Sequence, residues 1–178
     1  MIISSRDPNQ PAQEGNTQNR AGPEIERQKG VSIIQFNYGQ ANYNTSRPIF
    51  NALEPEKRLL LTIQEPALNK HTGTTYCLRG FKLIYEANPA TRVCFIVSEE
   101  LGTGQWRHQT YGPHVIKLEI QTEDGNLSIV NVYNPQDNGP RIRTWTLIEK
   151  ALNEAEGEII LLGDFNAHHP AWGGIHVE

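Results

Sequence analysis

Apolar and polar residues fall into blocks along this chain, and the blocks predict elements. Residues 31–36 (VSIIQF) are rich in β-branched side chains and predict a first strand, ending in Asn37-Tyr38-Gly39. Residues 45–56 carry Ile49, Phe50 and Leu53 at helical spacing behind Thr45-Ser46, which suits an N-cap. That helix is short, because Pro48 belongs in its first turn and Pro55 ends it. Residues 59–64 (LLLTIQ) read as a second, buried strand that stops at Glu65-Pro66. Residues 67–80 are loop-like, and 81–85 and 92–98 (RVCFIVS) read as two further strands. The stretch 99–113, polar and with three glycines, reads as a loop or an edge. Residues 115–121 and 127–132 alternate apolar and polar positions around Asp124-Gly125, a hairpin signal, and the second run ends in Tyr133-Asn134-Pro135. From 141 to 155, Ile142, Trp145, Ile148, Leu152 and Ala155 recur every three or four residues and predict an amphipathic helix whose stripe is core, with Gly157 at its C-cap. Residues 159–162 (IILL) then form a short apolar run, read as a buried strand, that leads into Gly163-Asp164-Phe165-Asn166. Strands outnumber helices, and helices punctuate them. The expected class is α/β, layered, with mostly antiparallel or mixed sheets.

Composition narrows this picture. The chain has 178 residues, about one domain's worth. Its first 29 residues hold Gln, Asn, Pro, Gly, Arg and Glu and almost no large apolar side chains, so they read as a disordered or linker segment, and residues 30–178 as the domain. Much of the low mean hydropathy, −0.54, comes from that segment. A net charge of −4 argues against a strong electrostatic nucleic-acid binder. It leaves room for a metal-dependent enzyme acting on phosphates, whose site carboxylates add negative charge. Cys77 and Cys94 lie in apolar segments and read as reduced thiols. No signal-peptide core and no transmembrane-length apolar window occurs, so the expectation is an intracellular protein with no membrane partner.

The candidate chemistry lies at strand ends. Four segments share one design, a buried strand running into polar residues: Gln35-Phe36-Asn37, Gln64-Glu65-Pro66, Tyr133-Asn134-Pro135 and Gly163-Asp164-Phe165-Asn166. One such ending is common; four suggest a convergent site. Residues two apart in an extended segment point the same way, so Asp164 and Asn166 can face one site. Mg²⁺ takes oxygen ligands from one or two carboxylates and keeps several waters. Glu65 is the natural metal ligand, with Asn37 beside it. Asp164 suits a base or water-orienting role, and Asn166 and Tyr133 suit bonds to a phosphate. The bland readings are turn-formers at Glu65 and Asn37, a half-buried aromatic at Tyr133, and an Asx turn at Asp164 and Asn166.

These motifs, in this order over about residues 31–174, resemble the endonuclease/exonuclease/phosphatase superfamily, and within it the endonuclease domain of non-LTR (LINE-type) retrotransposons, fungal ones in particular. IIQFNYG looks like the family's first motif, LLLTIQEP its second, LSIVNVYNP its third and IILLGDFNAHHPAWGG its fourth. The resemblance implies a two-sheet α/β sandwich of the deoxyribonuclease and apurinic endonuclease kind, and a Mg²⁺-dependent endonuclease (Mn²⁺ as an alternative) that nicks DNA. It implies metal-site roles for Asn37 and Glu65, a place near the scissile phosphate for Tyr133, activation of the attacking water by Asp164, and a phosphate contact for Asn166. A monomer, or one part of a nuclear polyprotein with a reverse transcriptase, is implied as well.

One departure tempers these expectations. The family closes its site with a C-terminal Ser-Asp-His motif and an earlier aspartate. This chain has four aspartates, Asp7, Asp124, Asp137 and Asp164, and no Asp-His dipeptide. The expectation is a sandwich incomplete at its C-terminal end, and a fragment without activity of its own. Two alternatives follow: a non-catalytic remnant with weak metal or nucleic-acid binding, and a phosphoesterase of the same superfamily acting on small or lipid phosphates. His168-His169 lacks zinc-ligand spacing and reads as a loop pair, and Trp172 as a packing residue. Trp106 and His108 read as loop anchors, with DNA contact as the alternative, and Arg107, Arg141 and Arg143 as a solvated face, with phosphate contact as the alternative.

Overall fold

A computed structural model describes residues 30–39, 41, 48, 50–53, 58–135 and 138–167. The expected leader at 1–29, most of the helix expected at 45–56, and His168, His169 and Trp172 lie outside the described residues.

The described strands form two four-stranded sheets. The first holds β1 (Ser32–Asn37), β2 (Leu59–Gln64), β3 (Phe81–Ile84) and β4 (Val93–Ser98) in the order β1-β2-β4-β3. The second holds β5 (Trp106–Thr110), β6 (Val115–Thr122), β7 (Gly125–Tyr133) and β8 (Glu158–Asp164) in the order β5-β6-β7-β8, with helix α1 (Asn138–Asn153) between β7 and β8. Each sheet has one parallel pair, β1 with β2 and β7 with β8, and two antiparallel pairs. The two sheets therefore share one pairing pattern, threaded by the chain in different orders. This is the α/β sandwich expected from the sequence.

Three apolar layers hold the sandwich. Between the sheets, Leu60, Val93, Phe95 and Val97 of the first meet Ile116, Leu118, Ile120 and Ile129 of the second. Outside the first sheet, Leu59, Leu61, Ile63, Cys94 and Ile96 pack with Tyr38 and Phe50. Outside the second, Val115, Val130 and Val132 pack under Ile148 and Ala151 of α1. Side chains alternate faces along a strand, and β2 is covered on both, so LLLTIQ is a continuous apolar run with no alternation. Both cysteines are free, and burial pushes the Cys94 thiol well above its ordinary range. Among the described residues no helix is long and apolar enough to cross a membrane.

The structure decides one expectation and corrects two. Of the two readings of 99–113, a loop or an edge, the edge is the one that forms: β5 is an edge strand, on which Trp106 is half-buried against the inter-sheet core and His108 is exposed. On α1, Trp145 is 50% exposed, while Thr144, Ile148 and Ala151 are buried. The expected stripe holds at Ile148 and Leu152, which pack toward the sheet, but Thr144 takes the place expected of Trp145, and the indole meets solvent. The third concerns β8. It forms as expected, but Ile159, Ile160 and Leu161 are 46%, 37% and 39% exposed, because β8 is an edge strand with a neighbour on one side only among the described residues.

Candidate active site

Strand directions bring six polar residues to one end of the sandwich. β1, β2, β7 and β8 finish there, and β4 and β6 start there. Asn37 ends β1, Tyr133 ends β7 and Asp164 ends β8; Glu65 follows β2, Arg92 precedes β4 and His114 precedes β6. The first four of these with Glu65 included were legible in the sequence as strand endings; Arg92 and His114 were not.

Main-chain hydrogen bonds tie these ends into one belt across both sheets. Glu65 N–H donates to the Arg92 carbonyl at 2.7 Å, Arg92 N–H to the Pro113 carbonyl at 2.7 Å, Tyr133 N–H to the His114 carbonyl at 2.9 Å, and Asn134 N–H to the Asp164 carbonyl at 2.7 Å. The link from Arg92 to Pro113 joins the two sheets.

Side chains then converge on the belt. By strand alternation Gln64 points between the sheets, so a regular continuation would send Glu65 to the outer face. Glu65 instead has φ 49°, which breaks the alternation. Its carboxylate accepts a hydrogen bond from the Tyr133 hydroxyl on the other sheet. Burial, that bond and the nearby Glu65 and Asp164 charges push the Tyr133 phenol up to about 12, with Arg92 opposing, so at neutral pH the hydroxyl is a donor. Asn37 spans the sheets as well: its Nδ2 donates to Asp164 Oδ2 at 2.7 Å, and its Oδ1 accepts from Gly39 N–H at 2.9 Å. Gln35 Nε2 bonds the Gly163 carbonyl at 3.1 Å.

The Asp164 turn is held from three sides. Asp164 Oδ1 accepts Asn166 N–H at 3.0 Å, so the Asx turn is present together with the convergence. Asn166 has φ 44°; with Glu65 it is one of two non-glycine residues with positive φ among the described residues, and both sit here. Backbone strain of this kind is stored at functional sites. Asn134, which the sequence pattern did not single out, clamps the turn: its Nδ2 donates to the Phe165 carbonyl at 2.9 Å, and its carbonyl accepts Asn166 Nδ2 at 2.7 Å. Gly163 is required for a different reason. With φ 143°, a Cβ there would collide with the Val132 carbonyl of the neighbouring strand.

The donor set fits a hard cation. Among the described residues no group of three or more His, Cys, Asp and Glu side chains could hold a metal ion. What the site offers is the Glu65 carboxylate with the Asn37 amide oxygen across β1 and β2, a sparse oxygen set suited to a cation that keeps most of its waters. A soft or transition metal would find no sulfur or imidazole cluster here.

Comparison with known proteins agrees with this architecture. Residues 127–177 match the family model described as endonuclease-reverse transcriptase, a segment that contains Tyr133, Asp164 and Asn166. The fold resembles the endonuclease domain of TRAS1, a telomere-specific non-LTR retrotransposon, with TM-score 0.57 and 16% identity over 81% of this chain and 63% of that one. It also resembles a humanized D. rerio TDP2 carrying 14 mutations, with TM-score 0.51 and 14% identity over 82% of this chain and 68% of that one. At such identities the likenesses speak for the fold. This chain spans about 63% of the length of the TRAS1 domain.

Proposed function

We propose that this chain belongs to the endonuclease/exonuclease/phosphatase superfamily, is the endonuclease part of a non-LTR retrotransposon protein and cleaves phosphodiester bonds in DNA with a divalent cation. The observation that carries the reading is the meeting of Glu65 with Tyr133, and of Asn37 with Asp164, across two sheets. An interaction that costs backbone strain at Glu65 is hard to account for as packing alone.

The roles follow from the bonds. Glu65, with Asn37 beside it, would hold Mg²⁺, or Mn²⁺ in its place. When bound, the ion would stabilise charge on a phosphoryl oxygen as a Lewis acid. Asp164 has one oxygen fixed by Asn37 and the other by Asn166 N–H, which sets its plane and suits it to orient and deprotonate the attacking water. The Tyr133 hydroxyl, whose single proton is directed at Glu65 here, would turn to donate to a phosphoryl oxygen once Glu65 holds the cation. Asn166, anchored by Asn134, stands as the phosphate's carboxamide partner. Residues 30–178 form the domain in this reading, within a longer nuclear protein that includes a reverse transcriptase.

No Asp-His dipeptide occurs among the 178 residues. The reading therefore gives these residues the metal- and water-handling half of the site, and the chain alone little or no nicking activity. Calorimetric titration with Mn²⁺ tests the site: binding is expected, and Glu65→Ala is expected to abolish it. Binding that survives Glu65→Ala would overturn the metal assignment. Plasmid nicking that Glu65→Ala abolishes would overturn the expected inactivity while upholding the site.

A further inference from the structure

The belt leaves two residues without a role. Arg92 lies across from Glu65, just beyond the Gln64–Val93 pair, and its carbonyl accepts Glu65 N–H. His114 is the register partner of Tyr133, one position before the Val115–Val132 pair. In the shared pairing pattern Arg92 and His114 occupy matching places, at the starts of β4 and β6, and Arg92 is bonded to the residue before His114. They stand at the one junction where the belt crosses between sheets.

Their side chains are under-used. The Arg92 guanidinium spends Nη1 on the Pro89 and Thr91 carbonyls at 3.1 and 3.0 Å. Its Nε and Nη2 have no hydrogen-bond partner among the described residues, and no carboxylate is paired with it there. Nη1 is thus held as an anchor while the rest of the fork is available, an arrangement that fixes a bidentate donor in place. The half-buried His114 ring lies 6.0 Å from the Tyr133 ring, tilted by 59°, and its ring nitrogens have no hydrogen-bond partner among the described residues. The Arg92 charge is felt at both His114 and Tyr133. The other charged groups at these strand ends, Glu65 and Asp164, are anionic, and would repel a phosphodiester unless cationic groups stood beside them.

We propose that Arg92 and His114 form a phosphate seat that binds the phosphodiester backbone of a DNA strand beside Tyr133. The seat rests on the phosphodiesterase reading of the site, and it assigns its anion-binding wall to the two strand starts, beside the strand ends that carry Glu65 and Tyr133. Arg92 supplies charge and a planar fork; His114 supplies a ring N–H.

Fluorescence anisotropy of a short labelled DNA duplex, titrated with the chain in low-salt Ca²⁺ buffer, tests it. Arg92→Gln is expected to weaken binding about tenfold, the worth of one charge-assisted hydrogen bond, and to lower the slope of log affinity against log salt by about 0.9. Arg92→Lys should keep the slope and lose part of the affinity. His114→Phe should weaken binding several-fold at an unchanged slope. Lys82→Gln, the same charge change on β3 at the far edge of the first sheet, should change neither. Mn²⁺ binding, measured in parallel, should be retained in the Arg92 and His114 variants, and be somewhat tighter in Arg92→Gln, which loses a nearby positive charge; retention also shows that they are folded. Equal affinities and slopes for the original chain and Arg92→Gln would overturn the seat, as would an equal effect of Lys82→Gln or undetectable binding by the original chain. Loss of the Mn²⁺ site with the DNA results intact would instead fail the metal assignment and leave the seat standing.

Discussion

Asn131 of β7 reaches across the sandwich to Gln64 of β2, and the pair is fully buried. Gln64 Nε2 donates to Asn131 Oδ1 at 2.6 Å, while Asn131 Nδ2 donates to the Ile63 and Cys94 carbonyls at 3.1 and 3.0 Å. Gln64 immediately precedes Glu65, and Asn131 lies two residues before Tyr133. One carboxamide thus fixes the separation of the two sheets behind the residues that must meet at the site.

Removing Asn131 should therefore cost more than removing Gln64. Asn131→Leu leaves the Gln64 amide and two main-chain carbonyls without their partner, at about 1–3 kcal/mol for a buried polar group so stranded. Gln64→Met also removes Gln64 Oε1, a buried acceptor that has no partner to lose. The urea midpoint should fall further in Asn131→Leu than in Gln64→Met, and the double variant should be less destabilised than the sum of the two. A larger loss in Gln64→Met would contradict this account.

Glu65 should show stability and function moving in opposite directions. Its φ of 49° is strained for any residue with a Cβ and easy for glycine. Glu65→Ala and Glu65→Gly both delete the carboxylate that bonds Tyr133. The glycine variant should be the more stable of the two by about 1 kcal/mol, the usual cost of a left-handed residue. Neither should bind Mn²⁺. Equal stabilities in chemical denaturation would mean that the backbone at Glu65 relaxes freely.

Much of this was legible in the sequence because strand burial and strand ends leave local marks. LLLTIQ announces a strand covered on both faces, and Asp124-Gly125 announces the β6–β7 turn, where Thr122 pairs with Gly125. Asn37, Glu65, Tyr133 and Asp164 stand out as polar residues that stop apolar runs. Arg92 and His114 leave no such mark. Each opens a strand, and which openings face the site depends on how two sheets pair and stack, a non-local fact. Trp145 was misplaced for a related reason: helical spacing fits more than one phase, and only the sheet beneath α1 selects Thr144, Ile148 and Ala151 over the indole. Exposure at Ile159–Leu161 was hidden because an apolar run reads the same at the edge of a sheet as in its middle.

The Tyr133 phenol gives a pH signature with a definite sign. Its ordinary value is about 10, and in the folded chain it is pushed up to about 12 by burial and by Glu65. A group raised on folding contributes stability that is fully present below the unfolded value and is lost as pH rises through the folded one. Stability should therefore decline between about pH 10 and pH 12. Tyr111, raised by burial and its bond to Glu154, acts in the same direction. Denaturation midpoints over this range should fall less steeply in Tyr133→Phe than in the original chain. Parallel curves would show that the phenol titrates alike in both states.

The exposed edge at β8 should govern association. Among the described residues Ile159, Ile160 and Leu161 present apolar side chains on an edge strand, a combination that templates strand pairing between molecules. Natural sheets blunt such edges with charge, and a single lysine is often sufficient. Light scattering of the purified chain should show concentration-dependent growth, and Ile159→Lys should suppress it. Ile160 is the wrong position for the same change, because by alternation with Leu162, which packs on the inter-sheet core, it faces inward. Ile160→Lys should therefore destabilise the fold and leave association as high or higher. A chain that stays monodisperse at high concentration, with one cooperative thermal transition, would show that this edge is protected.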